Sequence, residues 1–108
     1  MKKINIVKSN RDFNSIIKTG RYVKDKYFVI YYKDNSLNNY RFGISVGKKT
    51  GNAVVRNMIK RQMRNIVDKY KKNYQKPCDY IIIVRKTYLE LDYMSKCNFF
   101  SDLMEKIK

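Results

Sequence analysis

A single stretch of the chain, residues 48–64, carries a cationic stripe and an apolar stripe at helical spacing. Arg56, Lys60 and Arg64 stand at i, i+4 and i+8, so a helix aligns them along one side. Apolar residues recur along a different side and continue past residue 64, at the spacing of a core-facing stripe. They are Val55, Ile59, Met63, Ile66 and Tyr70. The stretch therefore predicts a long helix that buries one face and presents positive charge on the other.

The positive charge of this region has almost no partner nearby in the sequence. Residues 41–76 contain eleven lysines and arginines and one acid, Asp68. The whole chain has 25 basic and 9 acidic residues, a formal net charge of +16. A face kept only for solubility usually mixes both signs. Because ion pairs within the helix cannot neutralise it, we expect a polyanionic partner, and nucleic acid is the commonest one.

The predicted elements follow the order helix, strands, helix, strand, helix. They are a helix over 10–18, strands over 21–33 and 40–47, a helix from Ala53 to about Tyr74, a strand over 79–85 and a helix over roughly 92–107. Asn10 is the expected N-cap of the first helix and Asn52 that of the long helix. Pro77 prevents the long helix from continuing. Gly51, in the turn before that helix, is free to take a positive φ.

These elements predict one domain over residues 1–108, an α/β (α+β) sandwich with helices packed on a small sheet. The general rule for a strand–helix–strand crossover favours a right-handed connection around the long helix. A helix-turn-helix reader of DNA is disfavoured, because a strand rather than a helix precedes the basic helix.

No constellation for catalysis or metal binding is present in the sequence. There is no histidine, the nine carboxylates are scattered, and Gly47-Lys48-Lys49 does not match a phosphate loop. We expect a binder with no catalytic residues and no metal ligands of its own. Cys78 and Cys97 are expected to be buried, reduced thiols. No apolar run reaches the ~20 residues of a membrane span and no secretory signal is expected, so the cytoplasm is the expected location.

The strand over 27–32 alternates between two sets of side chains. Tyr27, Val29 and Tyr31 share one face, and Phe28, Ile30 and Tyr32 share the other. One face is expected to pack against the long helix. The other could form a concave surface with Phe13 and Ile17 of the first helix. Aromatic walls and cationic edges would suit an extended single strand of nucleic acid.

Residues 41–57 (RFGISVGKKTGNAVVRN), followed by Ile59-Lys60-Arg61 and Arg64, closely resemble the signature of the bacterial ribonuclease P protein subunit. Asp12-Phe13 with Gly20 resembles the first helix of that family, and residues 79–86 (DYIIIVRK) resemble its last strand. The resemblance implies a left-handed crossover around the basic helix. It also implies a large catalytic RNA as partner, which holds magnesium ions and removes the 5′ leader of precursor tRNA.

The resemblance further assigns two groups of residues. Those that would contact the catalytic RNA are Lys48, Lys49, Asn52, Arg56, Asn57, Lys60, Arg61 and Arg64. Those that would line the groove for the tRNA leader are Phe13, Ile17 and Tyr31. The chain departs from the family pattern at Met58, where arginine is frequent, and at Ile17, where an aromatic residue is frequent.

Two other interpretations share the same charge pattern. One is a small ribosomal or RNA-chaperone-like protein, which would not depend on a particular RNA. The other is a binder of a membrane surface or an acidic partner, with the basic helix as an amphipathic element. The expected partners are otherwise the catalytic RNA and precursor tRNA, with no membrane and no obligate protein partner.

Overall fold

A computed structural model of the chain describes residues 6–7, 9–35, 39–70 and 78–107. These residues form three α-helices and a four-stranded mixed sheet with the strand order β1-β2-β4-β3. The helices are α1 Asn10–Thr19, α2 Ala53–Tyr70 and α3 Tyr93–Met104. The strands are β1 Arg21–Lys24, β2 Phe28–Asp34, β3 Arg41–Val46 and β4 Cys78–Val84. The predicted α+β class is confirmed.

The single strand predicted over 21–33 is wrong, because the chain reverses at Asp25. β1 and β2 form an antiparallel hairpin in which Tyr22 pairs with Tyr31. The Asp25 carboxylate oxygen Oδ1 accepts hydrogen bonds from the backbone N–H groups of Tyr27 and Phe28, both at 2.8 Å. A short acidic side chain can satisfy the donors of a tight turn in this way, so neither glycine nor proline marks the reversal.

The basic helix α2 connects two neighbouring parallel strands. β3 pairs with β4 in parallel, with Phe42 opposite Tyr80 and Ile44 opposite Ile82. β4 also pairs with β2 on its other side, and its central position explains why its sequence is apolar on both faces. The left-handed sense of the crossover that the family resemblance implies stays a prediction.

Two hydrophobic cores lie on opposite faces of the sheet. In the larger core, α2 and α3 cover the face of β2 and β4 that carries Phe28, Ile30 and Ile82. The predicted apolar stripe of α2 enters this core, with Ile59, Met63, Ile66 and Tyr70 buried and Val55 partly buried. In the smaller core, α1 covers the opposite face, where Val7, Ile16 and Ile81 are buried. Tyr31 lies on this side, but the prediction that Tyr27 shares its face is wrong. Tyr27 precedes β2, where the strand alternation has not yet begun, and it packs against the larger core and the ring of Phe99.

The helix ends confirm one predicted cap and correct another. Asn52 caps α2 as predicted, since its Oδ1 accepts a hydrogen bond from the Val55 N–H at 3.0 Å. The cap of α1 is Ser9, whose Oγ accepts from the N–H groups of Arg11 and Asp12, so the prediction of Asn10 is wrong. A side chain one residue earlier reaches the free donors of the first turn, and Asn10 is already helical.

Other local predictions are also corrected. Gly51 is extended (φ 168°, ψ −177°) rather than left-handed. A glycine is still useful there, because a Cβ would lie 2.8 Å from a Val55 methyl carbon.

The bounds of the last helix differ from the prediction. α3 begins after its cap Asp92 and ends at Met104, before the predicted residue 107. The predicted extension of α2 to Tyr74 and the stop at Pro77 lie outside the described residues, as do residues 36–38 of the predicted loop.

Candidate nucleic-acid interface

The residues predicted for the catalytic RNA occupy α2 and the turn before it. Lys48 and Lys49 lie in a short 3-10 turn, Lys48–Thr50, and both are exposed. We call the whole set the cationic helix face; its members are Lys48, Lys49, Asn52, Arg56, Asn57, Lys60, Arg61 and Arg64. All of them are exposed except Arg56 and Lys60, which are half-buried. The structure thus brings the predicted set together on one helix and its N-terminal turn.

The charge of this face is not neutralised within the described part of the chain. The ion pairs found there join Arg41 to Asp12 and Asp79, and none involves a cation of α2. Among the same residues, Arg56 Nε is a buried side-chain atom without a hydrogen-bond partner. An unsatisfied buried donor costs about 1–3 kcal/mol. The face therefore carries both uncompensated charge and an unsatisfied donor.

The residues predicted for the leader meet at the edge of the smaller core. Phe13, Ile17 and Tyr31 are each half-buried and pack around Val7, Ile16 and Ile81. We call the surface formed by Phe13, Ile17, Tyr31 and the neighbouring Tyr22 the aromatic groove. Each predicted member thus leaves part of its side chain accessible to a ligand.

Tyr22 is a groove residue that the sequence did not identify. Its ring centroid lies 5.5 Å from that of Tyr31, at an interplanar angle of 45°, and the residue is 55% exposed. The two tyrosines are direct cross-strand partners in the β1–β2 hairpin. Reading 21–33 as one strand placed Tyr22 far from Tyr31, so recognition of the turn at Asp25 was the missing signal.

Gly43 sets how closely α1 approaches β3. A Cβ at this position would lie 2.6 Å from Cε2 of Phe13 and 2.9 Å from Cδ1 of Ile81. Real Cβ atoms do not tolerate such distances, so the bare backbone of Gly43 makes room for the Phe13 ring. This glycine is thus a determinant of the groove shape.

The aromatic groove and the cationic helix face meet at one pocket. It has a volume of about 150 Å³ and an apolar floor that includes Val7, Phe13 and Ile44. Lys60 and Arg64 of α2 line the same pocket. The two surfaces that the resemblance assigned to different RNAs are therefore contiguous.

A further group of cations gathers at one edge of the sheet. β1, β3 and β4 run in the same direction, so the residues that follow them lie at a common edge. The exposed cations there are Lys24, Lys26, Lys48, Lys49, Arg85 and Lys86. A hydrogen bond from the Arg85 N–H to the Tyr27 carbonyl, 2.9 Å, holds two of these connections together. Only Lys48 and Lys49 were identified from the sequence, because the grouping depends on strand order.

The two departures from the family pattern have structural counterparts. Met58 is half-buried and packs against the larger core, so this position contributes apolar contact. Ile17 is half-buried in the smaller core and presents an aliphatic surface to the groove.

Metal-ligating clusters and free thiols are the two kinds of group considered for chemistry. The described residues contain no group of three or more His, Cys, Asp or Glu side chains able to hold a metal ion. Cys78 is buried, and burial raises the pKa of its thiol to about 11, which keeps it protonated and unreactive at neutral pH. Cys97 is also a free thiol, but it is half-buried rather than buried as predicted.

No helix within the described ranges has the length and apolar character to cross a membrane.

The fold and this surface define the class of small, basic α+β proteins whose charged helix and aromatic groove suit a nucleic acid. The family model for ribonuclease P matches residues 1–108. The chain belongs to the ribonuclease P protein family.

Curated relatives and solved structures agree with this assignment. The ribonuclease P protein component of Mycoplasma capricolum is 44% identical over the full length of both chains. That of Streptococcus agalactiae is 46% identical, covering 88% of this chain and 86% of the relative. The Staphylococcus aureus RNase P protein structure matches with a TM-score of 0.88 at 34% identity, covering 96% of this chain and 95% of that one. The Thermotoga maritima RNase P protein matches with a TM-score of 0.87 at 30% identity, covering 94% and 96%.

The family assignment gives the chain its biochemical setting. It is a protein subunit of ribonuclease P, the ribonucleoprotein that cleaves tRNA precursors in 5′ processing. Within that enzyme it is the non-catalytic subunit. The ribosomal, RNA-chaperone-like and membrane-surface interpretations are therefore set aside.

Proposed function

We propose that the cationic helix face binds the catalytic RNA of ribonuclease P and that the aromatic groove binds the 5′ leader of precursor tRNA. The observation that carries this proposal is the pocket shared by Phe13 of the groove and Lys60 and Arg64 of the helix face. A leader lying in the groove would run directly beside the helix that holds the catalytic RNA. One small domain would then touch substrate and ribozyme at once.

The helix face would act by replacing counterions on RNA phosphates. Its six cations are Lys48, Lys49, Arg56, Lys60, Arg61 and Arg64. Each neutralised phosphate contributes about −0.7 to −0.9 to the slope of log affinity against log salt, so full engagement predicts a slope near −5. If Arg56 turned outward to a phosphate, its guanidinium would also gain the acceptor that Nε lacks.

The groove would act by distinguishing substrate from product. Precursor tRNA has a leader and mature tRNA has none, so contacts in the groove are available only to the substrate. A base stacked on an aromatic ring contributes about 1–3 kcal/mol, and this contribution tolerates any base. Phe13, Tyr22 and Tyr31 supply the rings, while Ile17 supplies an apolar contact without a π face.

We infer that magnesium is held mainly by the RNA subunit, since hard cations prefer several oxygen ligands and the described residues gather no such set. No step of the cleavage is therefore assigned to this chain. The expected location remains the cytoplasm, which suits the two free thiols, and no obligate protein partner is proposed.

The proposal is tested by charge reversal on α2 in the full-length protein. Arg61→Glu should weaken binding to the catalytic RNA and make the salt dependence shallower, because one phosphate contact is lost and one repulsion is added. Lys106→Glu is the matched control, since it changes the net charge equally at an exposed position after α3. Equal affinities for the wild type and Arg61→Glu would remove the helix face from the interface.

A further inference from the structure

A buried lysine of α3 contacts the side of α2 that faces the larger core. Lys96 is only 7% exposed, and its ammonium Nζ donates to Oε1 of Gln62 at 3.2 Å. The same nitrogen lies 4.4 Å from the ring centroid of Tyr88. The Tyr88 hydroxyl, in the turn Lys86–Glu90, donates to the same Gln62 oxygen at 2.8 Å. Two segments therefore converge on one amide oxygen of α2.

This cluster is costly to maintain as a purely packing arrangement. Burial lowers the pKa of Lys96, while the charge of Asp92 acts in the opposite direction. A buried cation held by a neutral amide and an aromatic ring gives up much of its hydration, and apolar residues of similar size often replace such groups at no loss of stability. Beyond packing, the cluster provides hydrogen bonds, whose strength depends on the orientation of α2 relative to α3.

The orientation of α2 is important because Gln62 lies next to the residues of the cationic helix face. Gln62 follows Arg61 directly and stands two residues before Arg64. The apolar contacts of α2 determine which face of the helix is buried, and hydrogen bonds narrow the rotation further, because they weaken steeply with distance and angle. If α2 rotated by about 30°, a group that lies about 6 Å from the helix axis would move by about 3 Å. A displacement of that size breaks a hydrogen bond to a phosphate.

Further contacts near the C-terminal end of α2 act on the same side. The Lys69 ammonium lies 4.7 Å from the ring centroid of Tyr93, and the Tyr70 hydroxyl donates to Glu105 at 2.8 Å. Both partners lie on α3 or at its C-terminal end. α3 thus holds α2 by polar contacts at its middle and at its end.

We propose that Gln62 and Lys96 are positioning residues, which fix the rotation of α2 so that Arg61 and Arg64 meet the catalytic RNA in a single geometry. This inference rests on the proposed function of the cationic helix face. Neither residue needs to touch RNA for it to hold.

The test uses three full-length variants and the isolated catalytic RNA of ribonuclease P. Gln62→Met and Lys96→Met keep the size of the side chain and remove the polar contact, whereas Gln62→Glu keeps an acceptor for both Lys96 and Tyr88. RNA affinity is measured over a range of salt concentrations, at a temperature where circular dichroism shows each variant folded. The unfolded fraction of each variant is determined separately by urea titration.

The methionine variants should bind about tenfold more weakly, the loss expected for one charge-assisted hydrogen bond. Their salt dependence should be shallower by about one phosphate contact. Relative to the methionine variants, Gln62→Glu should restore the affinity and the slope, apart from the loss caused by its one added negative charge; Lys106→Gln, which lowers the net charge by the same amount, measures that loss. If Gln62→Met does not fold, Lys96→Met and Gln62→Glu still provide the comparison.

The inference is overturned if the folded methionine variants bind with wild-type affinity and slope. It is also overturned if the unfolded fraction of the methionine variants accounts for their whole loss of RNA affinity, or if Gln62→Glu binds RNA as weakly as they do. Arg61→Glu separates this failure from that of the proposed function. If Arg61→Glu weakens RNA binding and Gln62→Met does not, only the positioning role is lost; if neither weakens it, the interface itself is wrong.

Discussion

Arg41 and Asp79 form a two-pronged ion pair between neighbouring strands, with Nε–Oδ1 at 2.8 Å and Nη2–Oδ2 at 2.7 Å. Asp79 is only 6% exposed and also accepts a hydrogen bond from the Asn35 amide at 2.7 Å. The remaining guanidinium nitrogen of Arg41 lies 3.5 Å from Asp12 of α1. One arginine thus links the edge strand β3 to the central strand β4 and to the helix that forms the wall of the aromatic groove.

Arg41→Met should destabilise the fold by about 3–5 kcal/mol, because it leaves the buried Asp79 carboxylate without its cation. Urea unfolding of the purified protein measures this change. Asp12→Asn is the control, since it removes only the longer, half-exposed pair and should cost less than about 1 kcal/mol. Equal losses of unfolding free energy in the two variants would show that the Arg41–Asp79 pair stabilises the fold no more than the Arg41–Asp12 pair does.

Gly43→Ala should weaken leader binding while leaving assembly with the catalytic RNA intact. The new methyl group would displace the Phe13 ring. Loss of one stacked base costs about 1–3 kcal/mol, which corresponds to a loss of affinity of about 5-fold to about 150-fold. The measurement is the affinity of the reconstituted enzyme for precursor tRNA with and without its leader.

Gly47→Ala is the control for Gly43→Ala, because no atom lies within 4 Å of a Cβ at position 47 and φ there is −69°. It should bind both tRNAs like the wild type. If Gly43→Ala weakened leaderless tRNA as much as precursor tRNA, Phe13 would have no leader-specific role.

Stability should fall at alkaline pH because buried tyrosines must ionise on the way to the unfolded state. Burial, assisted by the hydrogen bond to Glu105, raises the pKa of Tyr70 to about 12. Burial also raises the pKa values of Tyr80 and Tyr88 above the ordinary value of 10. A raised folded-state pKa gives stability that is complete below pH 10 and is lost as the pH rises through the folded value.

Tyr70→Phe isolates this effect. The variant should lose about 1 kcal/mol near neutral pH, where the hydrogen bond to Glu105 is intact in the wild type. Between pH 10 and 12 its free energy of unfolding should decline less steeply than that of the wild type, as followed by urea titration. Parallel declines would mean that Tyr70 does not contribute to the alkaline transition.

The features that could be predicted from the sequence are those set by local periodicity. The two stripes of α2, the Asn52 cap and the alternation of β2 from Phe28 onward each depend on residues close together in the sequence. The meeting of Phe13, Ile17 and Tyr31 followed from the face assignment together with the family resemblance.

The features that were missed depend on contacts between distant segments. The hairpin at Asp25 relies on a side chain satisfying backbone donors, which no glycine or proline signals. Tyr22 joins the groove only through that hairpin, and the cations at the sheet edge are gathered only by strand order. The contact of Lys96 with Gln62 spans 34 residues, and a lysine on an apolar helix face is ordinarily read as exposed.

The most direct measurement is a leader-length series. The affinities of the catalytic RNA alone and of the RNA with this protein are compared for precursor tRNAs with progressively longer leaders, at one near-physiological concentration of salt and magnesium. We predict that the protein adds affinity only once the leader reaches the aromatic groove, and adds none for mature tRNA. An equal gain for leaderless and leader-bearing tRNA would contradict the proposal that this subunit recognises the substrate through its leader.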